Sequence, residues 1–172
     1  MLTCTHSGQK KVWELAEELW KTKTKGKIPW PTMRNIGSIT RCALANFSNK
    51  KNPENSKKGE NRFYKFLLSE SIMLIWVLRI ERVYKGLQEH LKEEIRAWWV
   101  SRLNEKLRLD RAATHKKLKE IKTDKDLVLS TWKGSLKNEK DLPEDWITKS
   151  GVLVGMESRE SEEVARQPTD PD

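Results

Sequence analysis

Residues Asn61 to Tyr84 read NRFYKFLLSESIMLIWVLRIERVY, and the reading of this stretch decides the fold. From Phe63 to Tyr84 the apolar residues fall in every direction of a helical wheel rather than along one stripe. A helix that is apolar all round is a buried one. Glu70, Arg79, Glu81 and Arg82 interrupt it too often for a bilayer span, which takes about 20 mostly apolar residues. The stretch therefore predicts the central helix of a small all-α domain.

Its C-terminal neighbour supplies the partner. Gly86 ends or kinks the central helix, and a long helix is expected from near Glu89, where Leu91, Ile95, Trp98, Trp99, Leu103 and Leu107 recur at spacings of three and four. Only a few residues join the two, so the expectation is a long antiparallel hairpin. Trp76 and Ile95 are expected in its core, where truncation to Ala costs about 3–5 and 2–5 kcal/mol respectively. At one end Arg79 or Arg82 is placed to meet Glu93 or Glu94; towards the other lie Arg102, Asp110 and Glu70. These charges are read as a half-buried network that fixes helix register, in preference to a catalytic carboxylate.

Before the hairpin, Ser7 is placed to cap a helix from roughly Gln9 to Lys21, with Val12, Trp13, Ala16, Leu19 and Trp20 as its apolar stripe. Gly26 marks its end, and Pro29-Trp30-Pro31 keeps the following chain extended. A weaker helix is expected over Met33 to Asn46, then a polar loop from Ser48 to Glu60. Beyond the hairpin, Thr123-Asp124 opens a short helix through Val128, Leu129 and Trp132, and Gly134 stops it. Leu142 to Trp146 reads as a turn with Pro143 at the first position of a one-turn helix. Gly151 to Gly155 (GVLVG) reads as a packed extended segment without a partner strand. Residues 1–156 are thus expected as one domain, and 157–172 as a disordered acidic tail.

Eight tryptophans among 172 residues promise a real core despite 34% charged residues. The net charge is +9, but the last sixteen residues hold six acids against Arg159 and Arg166, which leaves +13 on the preceding 156. A body that basic attracts polyanions, nucleic acid first. Solvated lysine on helix faces explains the same charge. The candidate phosphate contacts are Lys21, Lys23, Lys25 and Lys27 beside Trp30, then Lys50, Lys51, Lys57 and Lys58 before Phe63, then Lys116 and Lys117 before Trp132. No named nucleic-acid-binding motif accompanies them.

Other chemistries find little support. Cys4 and His6 offer two ligands where a structural zinc needs four, and Cys42, His90 and His115 are scattered, so no metal or other cofactor is expected. There is no Gly-x-Ser-x-Gly elbow and no phosphate-cradling glycine loop. Adjacent acids such as Glu93-Glu94 point apart on a helix. The reading is of a protein that is not an enzyme. Two cysteines and the absence of a signal core or membrane span favour cytoplasm or nucleus.

Several segments resemble a known family. SESIMLIWVLRIERV (Ser69 to Val83), RAAT (Arg111 to Thr114), LVLSTWKGSL (Leu127 to Leu136), LPEDWI (Leu142 to Ile147) and GVLVG are similar to the C-terminal region of reverse-transcriptase polyproteins of fungal retrotransposons. TCTHSGQKKVWELAEELW (Thr3 to Trp20) resembles the segment after their ribonuclease H domain, where a zinc-binding-like element precedes a Trp-rich helical tail. The resemblance runs from about Leu2 to Met156. It implies a piece of a mobile-element protein without the polymerase or ribonuclease H acids, and so without either activity. Two roles are left open: an accessory module contacting nucleic acid, or a structural module docked on an upstream reverse-transcriptase or ribonuclease H domain. A decayed element with no present function is the third reading.

Overall fold

The computed structural model describes residues 7–31, 47, 57–86, 90–114 and 123–156. The expected helix over 33–46, Cys4, His6, Cys42, His115, Lys50, Lys51, Lys116, Lys117 and the acidic tail lie outside them. Among the described residues four α-helices carry the fold: α1 (Ser7–Thr24), α2 (Lys58–Lys85), α3 (Lys92–Ala112) and α4 (Lys125–Trp132). It is an all-α domain. None of these helices is long and apolar enough to cross a membrane.

α2 is the hub, because α1, α3 and α4 all pack on it. Its contacts with α3 pair Arg62 with Asp110, Glu70 with Arg102 and Ser71 with Trp99, and Glu81 meets His90 just before α3. Residue numbers climb in one helix as they fall in the other, so the two run antiparallel. Gly86, at φ +60°, closes α2 in the left-handed conformation that glycine adopts without strain. α3 then starts at Lys92, three residues later than the spacing predicts, and the Glu94 carboxylate accepts from the Leu91 amide at 3.1 Å to cap it.

The prediction that α2 is buried all round needs correction. Phe63, Tyr64, Leu67, Leu68, Ser71, Leu74 and Ile75 are buried, but Trp76 is 48% exposed and Tyr84 82%. At 100° per residue the buried set spans an arc of about 140°, and Met73, Trp76, Ile80, Val83 and Tyr84 form a second apolar stripe centred on the opposite side. One side of the helix is core. The other is bare over its last three turns, so Trp76 is not the core residue it was expected to be. Ile95 is core, 1% exposed, in line with Trp99, Leu103 and Leu107.

α1 lays Val12, Leu15, Ala16, Leu19 and Trp20 into the groove between α2 and α3. Its first turn passes so close that a Cβ on Gly8 would touch Ile95 and Leu78 at 3.3 and 3.5 Å. Trp20 donates its indole N–H to the Ile28 carbonyl at 3.0 Å, which folds the Pro29-Trp30-Pro31 segment back over it. Trp20, Trp30, Phe47 and Tyr64 then stack as one aromatic cluster with centroids 5.1–6.2 Å apart.

Asp110 ties three helices together. Its carboxylate accepts from both terminal nitrogens of Arg62, one at 2.6 Å, and from the Trp132 indole N–H at 2.7 Å. Arg62 also reaches Thr131. The register-fixing role expected of the hairpin's charges thus falls to Arg62–Asp110 and to Arg102–Glu70, at 3.1 Å. At the other end the expected Arg79 or Arg82 pair with Glu93 or Glu94 is replaced by Glu81, which meets Lys85 and His90, each at 3.0 Å.

The C-terminal segment is a strap along α3. Arg111 donates to the carbonyls of Ile147 and Lys149, Asn104 accepts from the Val154 amide, and Arg96 donates to the Met156 carbonyl. The GVLVG run does find a partner. Val154 bridges antiparallel to Leu136, with Lys137 N to Leu153 O and Gly155 N to Ser135 O both 2.9 Å. Pro143 lies between the one-turn 3₁₀ helices Glu139–Asp141 and Trp146–Thr148 rather than opening either.

Candidate nucleic-acid interface

Three chain segments far apart in sequence end at one place. A Cβ on Gly134 would lie 2.9 Å from the Lys23 carbonyl oxygen, so the end of α1 abuts the turn after α4. A Cβ on Gly59 would lie 2.5 Å from the Ser130 carbonyl, so the first turn of α2 abuts the last turn of α4. Both glycines are there because no side chain fits between the backbones. The consequence is electrostatic: Lys21 in the last turn of α1, Lys25 and Lys27 just after it, Lys57 and Lys58 at the start of α2, and Lys133 after α4 are carried on these abutting helix ends. Lys21, Lys25, Lys27, Lys58 and Lys133 are exposed, and Lys57 is half-buried.

Lys23 is the correction within this set. It is 9% exposed, and its ammonium donates to the carbonyls of Ser130 and Lys133, each at 3.0 Å, while lying 5.0 Å from the centre of the Phe63 ring. Burial lowers its pKa to about 8, with the carboxylates of Glu60 and Glu139 pulling the other way. That ammonium is spent on pinning α1 to α4 and cannot meet a phosphate. The expectation for Lys23 as a surface contact is therefore withdrawn.

The acids at this end are Glu17, Glu60 and Glu139, the last two near the Lys23 ammonium. Glu139 accepts from the Gly134 amide with both oxygens, at 2.9 and 2.7 Å, and from Leu136 at 3.4 Å. Glu17 pairs with Lys21 at 2.7 Å across exposed side chains, a contact worth little in water. α1 and α4 both present C-terminal carbonyls here, so part of the lysine charge offsets the negative ends of two helix dipoles. α2 presents its N-terminus, which favours an anion.

Lys133 is the member that sequence reasoning missed. The signal was available: Lys133 precedes Gly134, and lysine just before a helix-terminating glycine belongs to the same helix end. Among the described residues no group of three His, Cys, Asp or Glu side chains is placed to hold a metal ion. Comparison of the chain with protein-family models, with curated proteins and with solved structures finds no match in any of the three.

Proposed function

We propose that this chain is a non-catalytic helical accessory module that contacts nucleic acid through its basic end, as part of, or derived from, a retrotransposon reverse-transcriptase and ribonuclease H protein. The observation that carries the reading is the convergence of Lys21, Lys25 and Lys27 with Lys57, Lys58 and Lys133 where α1, α2 and α4 terminate together. The sequence resemblance to retrotransposon polyproteins supports the same reading.

The mechanism is phosphate neutralisation. Flexible ammonium groups match a line of phosphates as point charges, without reading base edges, so binding releases counterions and is largely independent of sequence. Titration of labelled duplex DNA, RNA–DNA hybrid and single strand at 50 and 200 mM salt tests it. Affinity that falls by about tenfold or more between the two salts is expected for several phosphate contacts. No binding at the lower salt rejects the reading.

A further inference from the structure

Lys23 is a buried cation set among exposed ones. It follows Lys21 and precedes Lys25 at the end of α1, both of them exposed, while its own ammonium turns inward to the carbonyls of Ser130 and Lys133. The Phe63 ring lies against that ammonium, and Gly134 packs so closely on the Lys23 backbone that no side chain fits between them. The charged groups facing it are Glu60 from the first turn of α2, Glu139 from the one-turn helix beyond α4, and Lys133 after α4. Its hydrogen bonds go to backbone carbonyls rather than to either carboxylate, and Glu139 is already engaged by the amides of Gly134 and Leu136.

A charge in that position is held by dipoles, away from water, and burial favours the neutral amine. Lys23 accordingly titrates at about 8, where an exposed lysine titrates near 10.4. Its charge changes in a pH range where the exposed lysines around it keep theirs. Phosphates held by Lys21, Lys25, Lys58 and Lys133 would bring negative charge over this junction, which favours the protonated form again. Two equilibria that share one interaction are reciprocal: if the polyanion strengthens proton binding, the proton strengthens polyanion binding.

We propose that Lys23 makes the basic end proton-linked, so that the chain takes up a proton at this buried ammonium when it binds a polyanion and binds more weakly once that proton is lost. The inference rests on the basic end being the polyanion contact. Lys23 acts through its field and touches no phosphate. The free chain loses the proton at about pH 8 and the complex at a higher pH, so affinity is full at neutral pH and falls between the two. A single phosphate about 10 Å away, at an effective dielectric of about 20, displaces such an equilibrium by roughly one pKa unit, or tenfold.

The test follows the affinity of the full chain for duplex DNA at constant salt of about 50 mM, from about pH 7 to 9.5, below the range in which exposed lysines discharge. The native chain is expected to lose about three- to tenfold across that range. Lys23→Met should start weaker at neutral pH, lack this loss, and meet the native affinity at the upper end. Cys4, Cys42 and the N-terminal amine titrate in the same range but are common to both chains, so the comparison cancels them. Glu60→Gln removes a charge that supports the ammonium, so its fall should begin at lower pH than the native one; this variant decides the matter should Lys23→Met not fold. A flat native profile, the same fall in Lys23→Met, or an unmoved profile in Glu60→Gln overturns the proposal and leaves the basic end standing as the contact. No binding at any pH rejects that contact, and the proposal with it.

Discussion

Lys23 and Asp110 show how single side chains hold this domain together, and each makes a prediction. The Lys23 pKa is lowered from 10.5 to about 8 by burial. Between those values the unfolded chain binds the proton that the folded chain has released, so stability rises with pH across the window from about 8 to 10.5. The rise amounts to about 3 kcal/mol at most, since each pKa unit corresponds to about 1.4 kcal/mol. Denaturant midpoints measured from pH 7 to 10.5 should climb for the native chain, and that climb should shrink in Lys23→Met. Asp110→Asn leaves Arg62 with a neutral partner in a mostly buried setting. Removing one member of a buried pair costs about 3–5 kcal/mol, and the partial exposure of Arg62 trims that to about 2–4. Urea denaturation checks the loss. The position of Lys23 was legible: it falls four residues after Leu19 and eleven after Val12, on the buried stripe of α1. Alternation with Lys21, Lys25 and Lys27 hid it, because a run of like charges invites reading as one surface. Arg62 as the partner of Asp110 was not legible, since no local spacing relates residues 48 apart.

At the scale of elements, α2 is a helix with two apolar sides and only one core. Truncating a residue on each side separates them. Trp99→Ala removes a fully buried ring that packs on α2 and donates to Ser71, and is expected to cost about 3–5 kcal/mol. Trp76→Ala should cost under about 1 kcal/mol, as substitutions at exposed positions do. Thermal denaturation of both variants distinguishes this arrangement from a helix wrapped on all sides. Gly59→Ala probes the junction of α2 and α4. Its Cβ would sit 2.5 Å from the Ser130 carbonyl, a clash with backbone that only separation of the helices relieves. A loss of about 1–3 kcal/mol or more is expected, with weaker polyanion binding as the lysine-bearing ends part. The helices themselves were readable from the period of their apolar residues and from Gly86 and Gly134 at their ends. The bare stripe was not. An all-round apolar pattern says that every side avoids water, but leaves unsaid whether the cover comes from this chain or another. The bridge between Val154 and Leu136 was missed because a single pair of hydrogen bonds leaves no alternating pattern at residue 136.

For the whole molecule, the chain path turns a diffuse net charge into a located one. Composition gave the excess of basic residues, and the folding of α1, α2 and α4 onto shared ends gathers part of it at one pole. The opposite end of α2 carries the apolar stripe. Location, as opposed to net charge, is what the proposed function rests on. The most direct measurement compares two variants that each lose four positive charges. One is Lys21→Gln/Lys25→Gln/Lys27→Gln/Lys58→Gln at the basic end; the other is Lys10→Gln/Lys85→Gln/Lys92→Gln/Lys149→Gln, exposed elsewhere. Affinity for duplex DNA is measured against salt concentration for both and for the native chain. The account predicts that the first variant flattens the log–log slope by about 3–4, close to 0.9 for each lost phosphate contact, while the second keeps the native slope. Equal flattening in both variants, or a native slope in the first, would contradict it.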